Sequence, residues 1–471
     1  MKPLWTLLFL ALLVSPGFGQ MSQDSLVLMN VNVVMAHEGK VVFNQSVIIE
    51  DGIITSIANS DHVPSAHKTN IIFAQGKYLI PGLWDMHVHT SFIAPPWDEK
   101  IIYPLYIANG ITGVRDMGGD SELLKQRRTR IEKGELLGPH LYIGGPFLVD
   151  AKSDAQTISV KTPADARAAV DKLKNEGVDF IKILSRLSRD SYFAIADESK
   201  KDQIHFVGHV PSAISASEAA AAGQYSIEHL TGISLACSAQ ENELREKIGT
   251  AIANRDWSTY RHLNEEAATT YDDRKVATLF SSFVDHNTWQ VPTLIWTKTQ
   301  STLDDSRWDT DPRLKYVPAS VRKEWNRQEQ LKQTPPDLLA DSKNEATRSQ
   351  QLVKKMLQAG VRFMAGSDGP DPFVFPGFSL HDELELLVQN GFTPAQVLEA
   401  ATTNPATFME KSGKYGSIEK SHSADLVLLE ANPLEDIRNT RKIAAVVLGG
   451  KYYPRAELDK MLNQIEGLAK Q

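Results

Sequence analysis

The stretch "LIPGLWDMHVHTSF", Leu79 to Phe92, decides how the rest of the chain is read. An apolar run follows the Pro81-Gly82 turn and carries two histidines two positions apart. In a β-strand successive side chains alternate, so His87 and His89 are expected on one side and Met86 and Val88 on the other. Two imidazoles on one side of a buried strand can bite a single cation. Alone the pair is weak evidence, because core and surface histidines share this spacing. Its surroundings give it meaning.

Further along, strand-like runs alternate with helical ones, the pattern of a parallel α/β architecture. The strand candidates are Trp84 to His89, Gly113 to Asp116, Leu141 to Gly144, Phe180 to Leu184, His205 to His209, Ser226 to His229, Val291 to Ile295 and Phe363 to Ser367. Eight strands fit a closed TIM (β/α)8 barrel. Between them "PADARAAVDKLKNEG" after Thr162 and "AISASEAAAAG" after Ser212 read as helices, with Gly223 at a C-terminal cap. From Cys237 to about Val291, and again from Thr297 to Val361, the chain is polar and helical with scattered Trp and Tyr. Long excursions on a barrel usually form lids or substrate-shaping structures.

Both ends of the chain read as β structure. Ser25 to Ile57 alternates apolar and polar residues, with Asp51-Gly52 placed as a hairpin turn. "SADLVLLE" (Ser423 to Glu430) and "IAAVVLGGKYY" (Ile443 to Tyr453) repeat the pattern, so the two ends are expected to complete one small composite β-sandwich. Before them Lys2, the run "PLWTLLFLALLV" and the small residues Gly17 and Gly19 form a secretory signal. The expected organisation is a signal peptide at 1–19 and a first sandwich part at 20–80. A barrel follows at 81–415 with a helical insertion at about 238–345, then a second sandwich part and C-terminal helix at 416–471.

Composition narrows the function. Among 471 residues, 58 acidic side chains outnumber 50 basic ones for a net charge of -8, which disfavours a polyanion, so no nucleic acid partner is expected. No segment after the signal is long and apolar enough to span a membrane, and the mature protein is expected to be exported, periplasmic or extracellular. Cys237 is the single cysteine, which rules out an intramolecular disulfide and a thiolate metal site. The expected partner is a small-molecule substrate, with a homo-oligomer left open.

The remaining candidate ligands stand at or near the C-terminal ends of separate strands, where barrel enzymes collect catalytic groups. Lys182 sits in "DFIKIL", His209 in "IHFVGHV", His229 in "YSIEHL" and Asp368 in "RFMAGSD". A lysine in an apolar strand is costly as an ammonium, and its neutral amine can take up carbon dioxide to become a carbamate. The two carbamate oxygens could bridge metals about 3.5–4 Å apart. His209 and His229 would then hold the second metal, while Asp368 would contact the first and take a proton from bound water. Donors limited to N and O suit two zinc or similar first-row divalent ions.

Together "PGLWDMHVH", "IKI", "GHV", "SIEHL", "AGSD" and the trailing "NPATF…YGSIEKSHSADLVLLEANPL" make the chain resemble the metal-dependent amidohydrolase superfamily. The resemblance lies within its imidazolonepropionase-like and Xaa-Pro dipeptidase-like group and covers nearly all of the mature chain. It implies a TIM barrel flanked by a composite β-sandwich, with the family roles falling on His87, His89, Lys182, His209, His229 and Asp368. The chain departs from relatives at "GGPFLVD", where Pro146 follows the glycines, and at "GHVPS", where some dipeptidase-like relatives carry a tyrosine two residues on.

The expected reaction is hydrolysis of an amide or peptide bond, in small peptides or N-acyl amino acids, by a hydroxide bridging two metals. The alternatives are a mononuclear deaminase or cyclic-amide hydrolase on the same barrel, or a non-catalytic binding protein. Such deaminases commonly carry a glutamate three residues after the fifth-strand histidine, where this chain has Ser212.

Two further residues are candidate substrate contacts. Arg115 could clamp a carboxylate or pair with Asp116. His381 is a second candidate, although Ser379 and Asp382 suggest a helix start there. His140 and His205 begin their strands, away from the chemistry, and are assigned no role. Trp289, Trp296, Trp308 and Trp325 are expected to pack within the insertion.

Overall fold

The computed structural model describes residues 25–60, 70–91 and 97–471. The predicted signal at 1–19 lies outside them. The first strands are β1 (Ser25–Met35), β2 (Lys40–Glu50), β3 (Ile53–Asn59), β4 (Asn70–Phe73) and β5 (Tyr78–Pro81). Next come β6 (Leu83–Val88), β7 (Ile111–Asp116), β8 (His140–Ile143), β9 (Phe147–Val149) and β10 (Thr157–Ser159). Then follow β11 (Ile181–Ile183), β12 (Phe206–Gly208), β13 (Ser226–Glu228) and β14 (Trp289–Val291). The chain closes with β15 (Leu426–Leu429), β16 (Ile443–Leu448) and β17 (Lys451–Pro454).

The two ends do complete one sheet. Its order is β17-β16-β15-β5-β1-β2-β3, with β4 paired to β1. Asp51 and Gly52 turn β2 into β3 with φ of 52° and 76°, the left-handed pair that a tight hairpin needs. Period-two alternation sorts the side chains of this sheet. Leu26, Leu28, Val31, Val33, Leu426, Leu428 and Val447 form a core of their own, while Val427, Leu429 and Val446 join the main core.

The middle of the chain is parallel α/β. One sheet runs β6-β7-β8 and another β10-β9-β11-β12-β13-β14. Isolated parallel bridges join Gly144 to Phe180, Gln290 to Phe363 and Val88 to Gly369. The expected eighth strand, Phe363 to Ser367, is held by single contacts rather than a ladder: Met364 N donates to Gln290 O and Met86 N to Ala365 O. Its neighbour β6 is irregular opposite it.

That irregularity corrects the alternation expected of the opening stretch. Asp85 pairs with Val114 and Val88 with Asp116, so Met86 and His87 together stand against Arg115 alone. Such a bulge puts an extra residue in one strand and turns its side chains. Met86 therefore packs with Phe180, Val207 and Met364, not beside Val88, which belongs to the main core.

The helices follow their sequence signals. Thr162 and Asp165 form a reciprocal cap on Pro163–Glu176, which ends at Gly177 with φ of 79°. Ser215 and Glu218 do the same for Ala216–Ala221, and Gly223 follows with φ of 87°. The insertion at about 238–345 falls into two excursions, as the stretches before Val291 and after Thr297 implied, with β14 between them paired to β13. Glu241–Ala253, Trp257–Thr269 and Asp273–Asp285 precede that strand. The chain then leaves β14 through Thr293, whose φ is 48°, into the helix Leu294–Ser301. Ile295, expected in a strand, is thus helical. Pro336–Gln358 is the longest of the later helices among the described residues. No described helix is long and apolar enough to cross a membrane.

Gly208 ends β12 just before His209, with φ of 128°, and a Cβ there would lie 2.2 Å from the carbonyl oxygen of Ile183. At Gly223 a Cβ would meet nothing within 4 Å. Gly208→Ala is therefore expected to destabilise by about 3 kcal/mol or more, against about 1 kcal/mol for Gly223→Ala. Denaturant midpoints of the two variants check the order, and equal midpoints would refute it.

Candidate active site

The six predicted ligands converge at one end of the parallel strands. His87 lies in the bulge of β6 and His89 just past the strand end, with ring centroids 5.3 Å apart. Lys182 is the middle residue of β11, while His209 and His229 directly follow β12 and β13. Asp368 arrives from the Phe363–Gly369 segment in a left-handed conformation, φ 64°, with its backbone N–H on the carbonyl of His87 at 2.8 Å.

Asp368 is the hub of this cluster. Its Oδ1 lies 3.3 Å from Nε2 of both His87 and His89, and its Oδ2 lies 3.7 Å from Nδ1 of His229. One donor atom from each of His87, His229 and Asp368 falls within 4.8 Å of the others. His209 is edge-on to His229 at 5.2 Å between centroids. Hydroxyl partners orient two of the rings: Ser185 Oγ is 2.9 Å from Nδ1 of His209, and Thr293 Oγ1 is 2.8 Å from Nδ1 of His229, the nitrogen that also faces Asp368. The left-handed turn at Thr293 is what presents that hydroxyl.

Electrostatics prepare these groups for a cation. Burial, and then the neighbouring Lys182 and imidazoles, hold His87 and His209 well below the ordinary histidine range. They are neutral near pH 7, with lone pairs free to ligate. Burial alone would raise Asp368, but His229, the hydrogen bond from His89 and Lys182 outweigh it and hold the carboxylate below its ordinary value. Lys182 is 1% exposed, and burial pulls its ammonium down to about 8 against the raising influence of Glu228 and Asp368. Buried Asp85 is pushed up to about 7 while it accepts from Ser367 N, Ser367 Oγ and His87 N.

The residues present fit divalent metal ions. His87 Nε2 is fully buried without a hydrogen-bond partner, a state that costs free energy unless something outside the protein takes the lone pair. The donor set is nitrogen and oxygen only, as first-row divalent ions accept. His89, Lys182, His209, His229 and Asp368 line the inner end of a cavity of about 500 Å³. Phe147, Leu184, Val210 and Trp296 surround them, and Ile248, Tyr260 and Leu338 from the excursions wall the outer part.

Two predicted substrate contacts are not in this cavity. Arg115 is fully buried below it and bonded to Met86 O, Ser226 Oγ and both oxygens of Glu228, so it cannot clamp a substrate. Its partner is Glu228 and not Asp116, which accepts from Thr90 and Gly118 instead. His381 is 2% exposed and lies 2.9 Å from both Thr440 Oγ1 and Asn109 O, tying its helix to neighbouring segments. That helix, Phe378–Gln389, begins after Gly377 with no side-chain cap; Ser379 instead accepts from Phe375 N.

Trp296 does not merely pack within the insertion. It lines the cavity 5.8 Å from the His229 ring, anchored by Nε1 on Asp371 at 2.7 Å. Trp289 belongs to the cluster of Trp84, Phe180 and Met364, and Trp308 and Trp325 pack against Phe373, outside the insertion rather than within it as expected. The sequence reading also passed over Glu228 and Asp85. Their signal was available: each is a carboxylate inside a quoted apolar strand motif, where a charge needs a partner.

The amidohydrolase family matches residues 78–452. An ochratoxinase of Aspergillus niger is 23% identical over 88% of this chain and 84% of its own. Among solved structures, a Xaa-Pro dipeptidase with methionine bound in its active site superposes with a TM-score of 0.66 at 18% identity. It covers 91% of this chain and 100% of its own. The bottromycin amidohydrolase reaches a TM-score of 0.73 at 20% identity, over 95% and 91% of the two chains. With the family matched across residues 78–452, most of its length, the chain belongs to the amidohydrolase family.

Proposed function

We propose that this protein is a metal-dependent hydrolase that cleaves an amide or peptide bond in small peptides or N-acyl amino acids. The observation that carries this reading is the meeting of His89, Lys182, His209, His229 and Asp368 in one cavity, with His87 behind them 3.3 Å from Asp368. His87, His89 and Asp368 would hold one divalent ion and His209 and His229 a second, with Lys182, carbamylated by carbon dioxide, between them. Zinc suits the donors. When bound, such ions lower the pKa of water and polarise the scissile carbonyl. Asp368, whose carboxylate is held below its ordinary value, accepts the proton of the attacking water and returns it to the leaving amine. Phe147, Leu184, Val210 and Trp296 exclude bulk water around the reacting bond. A one-ion deaminase would leave buried Lys182 without a task, and the position three after His209 is Ser212.

The three parallel bridges between the sheets support a closed (β/α)8 barrel, and the separate apolar core of the terminal sheet supports a sandwich. Residues 1–19 support export to a periplasmic or extracellular space, where a small-molecule substrate would be met.

Chelation is expected to abolish hydrolysis of an N-acyl amino acid and dipeptide panel, and zinc to restore it. Asp368→Asn should lower kcat by about 10²- to 10⁴-fold in the zinc-loaded protein. Metal-loaded wild-type protein inert across the panel, or Asp368→Asn at full activity, would refute the reading.

Lys182 makes the reading sensitive to pH. Because burial lowers its pKa to about 8, the neutral amine grows as pH rises from about 7 to about 9. Carbamate formation in metal-free protein at fixed dissolved carbon dioxide should rise over that window, read as a ¹³C signal absent from Lys182→Ala. A flat profile, or a Lys182→Ala variant that keeps two ions and full activity, sinks the bridging role.

Trp296→Ala should widen the cavity beside His229. KM for substrates with aromatic acyl groups is expected to rise by about 10-fold, since the variant loses about 1–2 kcal/mol of ring contact, with a smaller change for acetyl substrates. Steady-state kinetics on both series check this.

A further inference from the structure

Below the ligand cluster lies a chain of charged groups that the proposed reaction does not use. Glu228 Oε2 is 2.8 Å from Nδ1 of His87. Arg115 Nη2 donates to both oxygens of Glu228, at 2.9 Å each, and Nη1 donates to Ser226 Oγ at 3.0 Å. The Ser226 hydroxyl in turn donates to Oε1 of Glu228. His87, Glu228 and Arg115 are all fully buried.

These contacts fix a proton. A carboxylate that pairs with Arg115 only accepts hydrogen bonds, so the Nδ1 it touches must be the donor. A neutral imidazole with its proton on Nδ1 keeps its lone pair on Nε2. That atom lies 3.3 Å from Asp368 and has no hydrogen-bond partner. Carboxylates that accept from the far nitrogen of a ligating histidine set its tautomer and raise its basicity.

We propose that Glu228, locked by Arg115 and Ser226, is a positioning residue that holds the proton of His87 on Nδ1 and commits Nε2 to metal ligation. The proposal rests on the metal-dependent reading above for its use, while the tautomer can be tested without any metal. Arg115 serves as the clamp of the clamp: Nη2, shared between both oxygens of Glu228, together with Nη1 on Ser226, stops Glu228 from rotating away.

The test compares two double variants, so that neither leaves a buried charge unpaired. Arg115→Met with Glu228→Gln keeps a neutral acceptor beside His87, and Arg115→Met with Glu228→Leu removes it. In ¹⁵N-histidine-labelled metal-free wild-type protein, long-range ¹H–¹⁵N spectra are expected to place the His87 proton on Nδ1, assigned by the signal lost in His87→Gln. The Gln double variant should keep that tautomer and bind zinc within a few-fold of wild type. The Leu double variant should lose it and bind zinc about 10- to 100-fold more weakly. A wild-type proton on Nε2 overturns the proposal even if neither double variant folds, as does equal zinc affinity in wild type and both variants. Wild-type protein that binds no zinc at all would instead defeat the metal-dependent reading and leave the tautomer result to stand on its own.

Discussion

The hydrogen bond from Arg115 Nε to the carbonyl of Met86, at 2.6 Å, exists because β6 carries one residue too many against β7. The bulge frees that carbonyl from the ladder and gives it to the guanidinium. It also lets two consecutive residues, Met86 and His87, both meet residues carried on the inner side of the parallel strands. Met86 fills space against Phe180 and Met364, while His87 reaches Glu228 and Asp368. Without the extra residue, His87 would take the opposite face and the histidine cluster would lose its buried member. Gly366 shows how tight this arrangement is, since a Cβ there would lie 2.8 Å from Cβ of His87.

Burying Arg115, Glu228, Lys182 and Asp368 together is expensive, because each charge gives up water. The structure offsets this in two ways. Arg115 and Glu228 satisfy each other through Nη2, which donates to both carboxylate oxygens, with Ser226 completing the set. Lys182 has no such partner among the described residues, and burial correspondingly disfavours its charge.

The clustering residues were legible in the sequence because each sits within or just past a short apolar strand run, visible as composition changes around "HVH", "IKI", "GHV", "IEHL" and "GSD". The fold class followed from the same alternation of strands and helices. What spacing does not show is depth. Arg115 stands at the end of a strand just as His89 does, yet it is buried below the cavity, because the bulge opposite it gives its side chain an acceptor inward. His381 was misread for a related reason: its partners, Asn109 and Thr440, are far from it along the chain. The seventh strand ended early because the left-handed Thr293 starts a helix whose N–H groups Glu383 accepts, as at Ile295. Neither the turn nor its distant cap leaves a mark in local sequence.

The cavity is built in two storeys with different origins. Its floor comes from strand ends, whose positions are fixed by backbone ladders through β11, β12 and β13. Its outer wall comes from the excursion helices, which carry a small core of their own in Leu235, Leu244, Ile248, Leu263 and Ala267, with Ile252 and Tyr260 packed against it. Ile248, Ile252 and Tyr260 face the cavity from that core. A wall that is packed independently of the floor can be resculpted without moving a ligand, since distant sites couple weakly. Floor and wall thus belong to separately packed parts of the fold. Trp296 is the exception that joins them. It stands beside His229, is tied to Asp371 three residues after Asp368, and belongs to the helix that Thr293 begins. A hydrogen bond thus links this wall residue to the segment that carries Asp368.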